Sequence, residues 1–150
     1  MGLNHKTAPL EIREKISFLG EGLTQALTEF RSYVPQGIIL STCNRTEVYV
    51  VTDSIEETRS VVLKFLSGFY DRDQFDLFPY LYSSVDMDAV RHLFVVASGL
   101  DSMIIGEPQI LGQVRQALTI ASDSNKPGLT ISRLFHYALR AGRRVRDETN

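Results

Sequence analysis

Apolar residues recur at three- and four-residue steps along residues 10–31, at Ile12, Ile16, Leu19, Leu23, Leu27 and Phe30. That spacing predicts helix, with a break where Gly20 and Gly22 remove side chains from the pattern. The run Gly37-Ile38-Ile39-Leu40-Ser41, entered through Pro35, predicts a short buried strand. After the polar residues Thr42, Cys43, Asn44 and Arg45, residues 47–52 are β-branched and aromatic and predict a second strand folded back on the first, which puts Cys43 on the connection. Ser54 with Glu57 three residues later is a capping-box pattern ahead of a helical face made by Val61, Val62, Phe65, Leu66 and Phe69. Residues 79–83 predict one more short strand. From Ser84 onward the periodicity is helical, broken only at Gly99, at residues 106–108 and at residues 125–128. Two stripes stand out there: Leu111, Val114, Leu118 and Ala121, then Leu134, Ala138, Ala141 and Val145. The expectation is an α+β chain, with a mixed lobe over 1–84 that carries the Cys43 turn and a helical lobe over 85–150.

Composition narrows the class. With 150 residues, 43% hydrophobic and 23% charged, the chain is long enough to bury a core without metal or disulfide staples. No apolar run approaches the roughly 20 residues of a membrane span, and no basic and apolar leader opens the chain, so a cytoplasmic location is expected. The single cysteine has no intramolecular partner, and His5, His92 and His136 lack close ligand spacing, which argues against a zinc site. The closest approach to a dinucleotide fingerprint, Gly20-Glu21-Gly22, has Gln25 where the third glycine belongs and no strand ahead of it.

Cys43 therefore draws attention. A thiolate forms where positive charge and backbone N–H groups surround a partly exposed sulfur, and Cys43 sits in a tight polar turn two residues before Arg45.

Three segments share one further property. Gly2-Leu3-Asn4-His5-Lys6-Thr7-Ala8-Pro9-Leu10, then Ser41-Thr42-Cys43-Asn44-Arg45-Thr46-Glu47, then Ser98-Gly99-Leu100-Asp101-Ser102-Met103-Ile104-Ile105-Gly106-Glu107-Pro108-Gln109-Ile110-Leu111-Gly112-Gln113 resemble, in that order, the N-terminal catalytic domain of the glutamyl-tRNA reductases. The resemblance runs through the whole chain. It implies a ferredoxin-like first lobe, which suits the helix, strand, strand, helix, strand order read above. Family members usually carry a short strand before the glycine; here Met1 precedes Gly2 directly, so a shortened or absent first strand is expected. The family's NADPH-binding Rossmann domain, and the helical domain through which the enzyme forms homodimers, are expected to lie outside this chain.

The resemblance also implies an oxidoreductase activity: NADPH-dependent reduction of glutamyl-tRNA to glutamate-1-semialdehyde, feeding porphyrin and other tetrapyrrole biosynthesis. Cys43 takes the nucleophile's place and His92 that of the catalytically important histidine. A thiol suits the task, because an aminoacyl ester is a good acyl donor and the resulting thioester a good hydride acceptor. Thr42, Asn44, Arg45, Ser102, Glu107, Pro108, Gln109 and Gln113 take the substrate-binding positions. Arg45 is the natural fork for the substrate carboxylate and Glu107 a partner for its ammonium. On residues alone, His92 also reads as a helix histidine paired to Asp88, and Gln116 as solvated. Pro108 suits a helix first turn, with Glu107 at the cap.

The last helix is basic. Residues 128–150 hold five arginines, Arg133, Arg140, Arg143, Arg144 and Arg146, for a local +3 against about −5 elsewhere. Such a face either meets tRNA phosphate or turns to solvent or to the rest of a longer enzyme. Two non-enzymatic readings stay open beside the reductase: a ligand- or protein-binding module with a structural Cys43, and a tRNA-binding module without chemistry.

Overall fold

The structure is a computed structural model that describes residues 1–68, 76–124 and 127–149. Among them the order is β1 (Gly2–Asn4), α1 (Leu10–Lys15), α2 (Glu21–Tyr33), β2 (Gly37–Ser41), β3 (Arg45–Val50), α3 (Ile55–Gly68), a 3-10 turn (Phe78–Tyr80), α4 (Met87–Ala97), α5 (Gln109–Ser124) and α6 (Leu129–Thr149). The architecture is α+β. Gly20 breaks the first helical stretch as expected, at φ +57°, a region open to glycine because it has no Cβ.

The three strands form one antiparallel sheet in the order β1-β3-β2. The first strand is present, although short. Asn4 stands opposite Arg45 and Ser41 opposite Thr46, so the Asn4 end of β1 and the Cys43 turn share one end of the sheet. The strand expected over 79–83 is a correction: those residues give the 3-10 turn and then a single antiparallel bridge, Tyr82 with Gly2. Pro79 supplies no N–H for a ladder, and the hydrogen bonds from Tyr80 N to Leu77 O and from Leu81 N to Phe78 O are spent on the turn.

One core runs through both halves of the chain. Phe30, Leu27, Ile38, Leu40 and Leu66 on the sheet side join Leu93, Val96, Val114, Ile131 and Phe135 from the later helices. α5 buries its expected stripe of Leu111, Val114, Leu118 and Ala121. In α6 the stripe is rotated: Ile131, Phe135, Ala138, Leu139 and Gly142 are buried, while Leu134, Ala141 and Val145 are half-buried. Close helix crossing explains the shift, since a Cβ on Gly142 would lie 2.4 Å from the Ala97 carbonyl oxygen of α4. The smallest residue marks the contact line, and a pattern search for large side chains passes over it. Val62, Phe65 and Leu66 of α3 are buried; Phe69 and Asn125 lie outside the described residues. At the start of α3, Thr52 Oγ1 accepts the Ser54 N–H (3.1 Å) and the Thr58 hydroxyl (2.8 Å). No described helix is long and apolar enough to cross a membrane.

Candidate active site

The turn between β2 and β3 is built by Thr42. Its Oγ1 accepts the backbone N–H of Asn44 (3.1 Å) and of Arg45 (3.2 Å), and its own N–H bonds Arg45 O (2.8 Å). The hydroxyl that the family pattern gives to substrate thus spends its acceptor positions on shaping the turn and keeps its O–H donor. At its tip Cys43 is free and exposed. From below, Arg13 of α1 clamps the turn: Nε donates to Cys43 O (3.4 Å) and Nη1 to Ala8 O (3.0 Å).

A second segment meets this turn. Gly99 (φ +75°) and Gly106 (φ +80°) let residues 99–106 close on themselves, with Gly106 N bonded to Gly99 O at 3.0 Å. The loop turns Met103, Ile104 and Ile105 to solvent. Ser102 within it and Glu107 just after it, with Gln113 and Ile110 from α5, border a cleft with Thr42, Cys43, Asn44 and Arg45. Its free volume is about 10 Å³, room for about one water molecule. Seven of the residues proposed from sequence therefore meet around the cleft. Pro108 and Gln109 do not line it and are exposed. Pro108 directly precedes α5 and takes the position expected for Glu107, which lies one residue earlier.

Arg45 is not the open fork that its place in the motif suggests. It is 2% exposed, and its Nη1 is bonded to Glu47 Oε1 (2.9 Å) while Nη2 holds Asp101 O (2.7 Å) and Asp101 Oδ2 (3.1 Å). Only the remaining N–H groups are left for anything else. Asp101 is tied in turn to Lys6 Nζ and to Asn4 Nδ2 (3.4 Å), so the residue 4–8 turn is braced against the same arginine.

Glu47, which follows the motif, collects four donors: Arg45, the hydroxyls of Tyr49 and Tyr82, and His92 Nε2 (2.7 Å). Burial works to raise this carboxyl, and the hydrogen bond from His92 with the charge of Arg45 outweighs it and holds Glu47 at about 2. Burial and the Glu47 charge push both tyrosines upward. Against an ionised carboxylate, Nε2 of His92 is the donor.

His92 departs from the helix pairing expected for it. It pairs with Glu47 rather than with Asp88, and it borders a separate, mostly apolar cavity of about 450 Å³ rather than the Cys43 cleft. The sequence places it four residues after Asp88 on one helix, but partner choice was settled by β3 packing across α4. Glu47, Asp101 and Arg13 were not singled out from sequence. A carboxylate inside a strand of apolar residues was the available signal for Glu47, since such a group is buried only when paired.

Fold and site together define a class: an α+β domain that presents one exposed thiol in a polar cleft walled by a buried arginine held between two carboxylates. The family described as Glutamyl-tRNAGlu reductase, N-terminal domain, matches residues 1–149. Glutamyl-tRNA reductase of Marinobacter nauticus is 46% identical over 99% of this chain and 35% of its own length. That of Shouchella clausii is 46% identical over 99% of this chain and 33% of its own. Among solved structures, the glutamyl-tRNA reductase from Methanopyrus kandleri superposes with a TM-score of 0.77 at 32% identity, over 99% of this chain and 34% of that one. The chain belongs to the glutamyl-tRNA reductase family and corresponds to its N-terminal domain. It spans about a third of the length of the curated relatives it matches.

Proposed function

We propose that this chain is the catalytic domain of an NADPH-dependent reductase that converts glutamyl-tRNA to glutamate-1-semialdehyde through a thioester on Cys43, the entry to tetrapyrrole biosynthesis. The observation that carries this is the exposed thiol at the tip of the Thr42–Arg45 turn, facing Ser102, Glu107 and Gln113 across one cleft. An exposed thiol in a polar cleft is poor material for a structural cysteine, which disfavours the non-catalytic module.

Cys43 Sγ attacks the ester carbonyl carbon; a C–S bond forms, the C–O bond to the tRNA ribose breaks, and the departing oxygen takes a proton. Glu107 offers a carboxylate for the glutamyl ammonium, and Ser102, Asn44 and Gln113 offer neutral hydrogen-bonding groups. Arg45 acts as a fixed cationic wall through its unspent N–H groups. His92 acts through Glu47 on the setting of Arg45 rather than on the thiol. Pro108 and Gln109 shape the start of α5 and contribute through it.

The chain's own residues do not fit NADPH. Gly20 and Gly22 follow a loop rather than a strand, and no described strand leads into a glycine-rich turn and a helix. Hydride delivery belongs to the parts of the longer enzyme outside this chain, as does homodimer formation. We read 1–84 and 85–150 as two lobes on one core, and the first as ferredoxin-like: Tyr82 beside β1, β1 beside β3 and β3 beside β2, all antiparallel, is that order with its fourth strand reduced to a bridge.

The test is incubation of the chain with radiolabelled glutamyl-tRNA, with and without NADPH. The expected result is slow, Cys43-dependent release of free glutamate, unaffected by NADPH. NADPH-dependent aldehyde from this chain alone would overturn the assignment of the cofactor site elsewhere. A glutamyl adduct that forms equally without Cys43 would overturn the nucleophile.

A further inference from the structure

Besides the thiol and Arg45, Glu107 is the titratable side chain bordering the Cys43 cleft, and the proposed reading gives it to the substrate ammonium; the turn after β1 brings an imidazole, that of His5, to the same end of the sheet. β1 runs antiparallel to β3 with Asn4 opposite Arg45. The ladder ends at that pair, with His5 directly after Asn4 and Asn44, the neighbour of Cys43, directly before Arg45, so the two turns leave the same end of the sheet; His5 itself lies outside the residues that border the cleft. There the chain doubles back: Lys6 N bonds Asn4 Oδ1 (2.9 Å), and Thr7 N and Ala8 N bond Asn4 O (3.1 and 2.9 Å). Two braces hold this turn to the Cys43 turn, Arg13 between Ala8 O and Cys43 O, and Asp101 between Lys6 and Arg45.

His5 Nδ1 is buried and has no hydrogen-bond partner. Folded chains seldom leave such an atom unpaired without a use for it. The groups facing the imidazole are Arg45 from β3, Arg13 from α1, Lys6 from its own turn and, with opposite sign, Asp101 from the loop after α4. Burial and the Arg45 charge hold the ring below the ordinary value of 6.5, so it is neutral, the proton-accepting form, at neutral pH.

We infer that His5 is the acid–base residue of the Cys43 cleft: it takes the thiol proton as sulfur attacks the glutamyl ester and gives that proton to the departing ribose oxygen. No electrons are gained or lost in the step; one C–S bond replaces one C–O bond, and the proton returns. The inference rests on the thioester reading for its second half. Its first half, His5 serving the Cys43 thiol, needs no substrate.

The experiment has two arms on the 150-residue chain. Iodoacetamide alkylation of Cys43 at pH 7 is expected to slow about tenfold in His5→Ala and equally in His5→Gln, which keeps a hydrogen-bonding group but moves no proton. Added imidazole restores the rate in His5→Ala. In wild type the rate rises with pH through a limb centred below 6.5, and both variants lose that limb. Thermal melts identify a variant that fails to fold, and the other variant then carries the arm. Equal alkylation rates and pH profiles in wild type and a folded variant would overturn the assignment. In the second arm, single-turnover release of glutamate from glutamyl-tRNA is expected to fall about 100-fold or more. If alkylation depends on His5 but wild type is never acylated, the functional reading fails and His5 remains the partner of the thiol.

Discussion

On one side of Arg45 lies the Cys43 cleft: solvent-reachable, with its sulfur unpaired and with side chains from a turn, a loop and a helix whose polar groups are only partly used. On the other lies Glu47, 2% exposed and saturated by four donors. The two regions share one guanidinium and differ in what they leave unspent. A saturated buried network has no capacity to bind or react; it fixes geometry. The unsaturated cleft next to it has the capacity and borrows the geometry.

The comparison breaks most completely at the sulfur. Cys43→Ser is expected to abolish the glutamyl adduct seen by mass spectrometry while leaving the thermal melt unchanged, because an exposed sulfur holds nothing together. Adduct formation at wild-type level in that variant would place the chemistry elsewhere.

Glu47→Ala is expected to do the reverse, costing about 3–5 kcal/mol of stability in denaturant titrations by leaving Arg45 buried with one partner fewer. Glu47→Gln adds a pH signature. The folded carboxyl sits at about 2, below its ordinary 4.5, so its charge stabilises the fold fully above pH 4.5 and progressively less as pH falls toward 2. The stability gap between wild type and Glu47→Gln should close over that window. A gap that stays constant from pH 6 to 2 would mean that the charge on Glu47 contributes nothing to the fold.

Arg45→Lys probes the shared wall. A lysine ammonium cannot hold Glu47 and Asp101 at once in the planar geometry seen here, and acylation is expected to fall about 10- to 100-fold. Unchanged acylation would uncouple the two regions. The smallest effect is expected at α6, where Arg140 and Arg143 are exposed. If that face meets tRNA phosphate, replacing both with glutamine lowers the salt dependence of tRNA binding by a slope of about 2. An unaltered slope would assign the arginines to solvent or to the remainder of the longer enzyme.

Much of this was legible along the chain. The helices over residues 10–33, 55–68, 87–97 and 109–124, the β2 and β3 hairpin and the placing of Cys43 on its connection all follow from periodicity, since each depends on neighbours within a few residues. Resemblance carried the assembly of the cleft from residues about sixty apart in sequence, because the motif around Ser102 and Glu107 was visible as a string. Three things were not. The face of α6 was set by how closely Ala97 approaches Gly142, a contact between helices. The fourth strand was lost to a local turn at Pro79. The partner of His92 was chosen across the core by Glu47 instead of along the helix by Asp88.

The sequence by itself determined which segments are helix or strand, that one thiol sits in a polar turn, and to which family the motifs belong. Only the tertiary structure decided which polar groups are already paired: Arg45 and His92 are committed, Cys43 and His5 are not. The reason is range. Backbone preference and amphipathic spacing act over one or two turns of chain, whereas a buried charge takes whichever opposite charge the packing of distant elements brings within about 3 Å, and that distance is written in no local pattern.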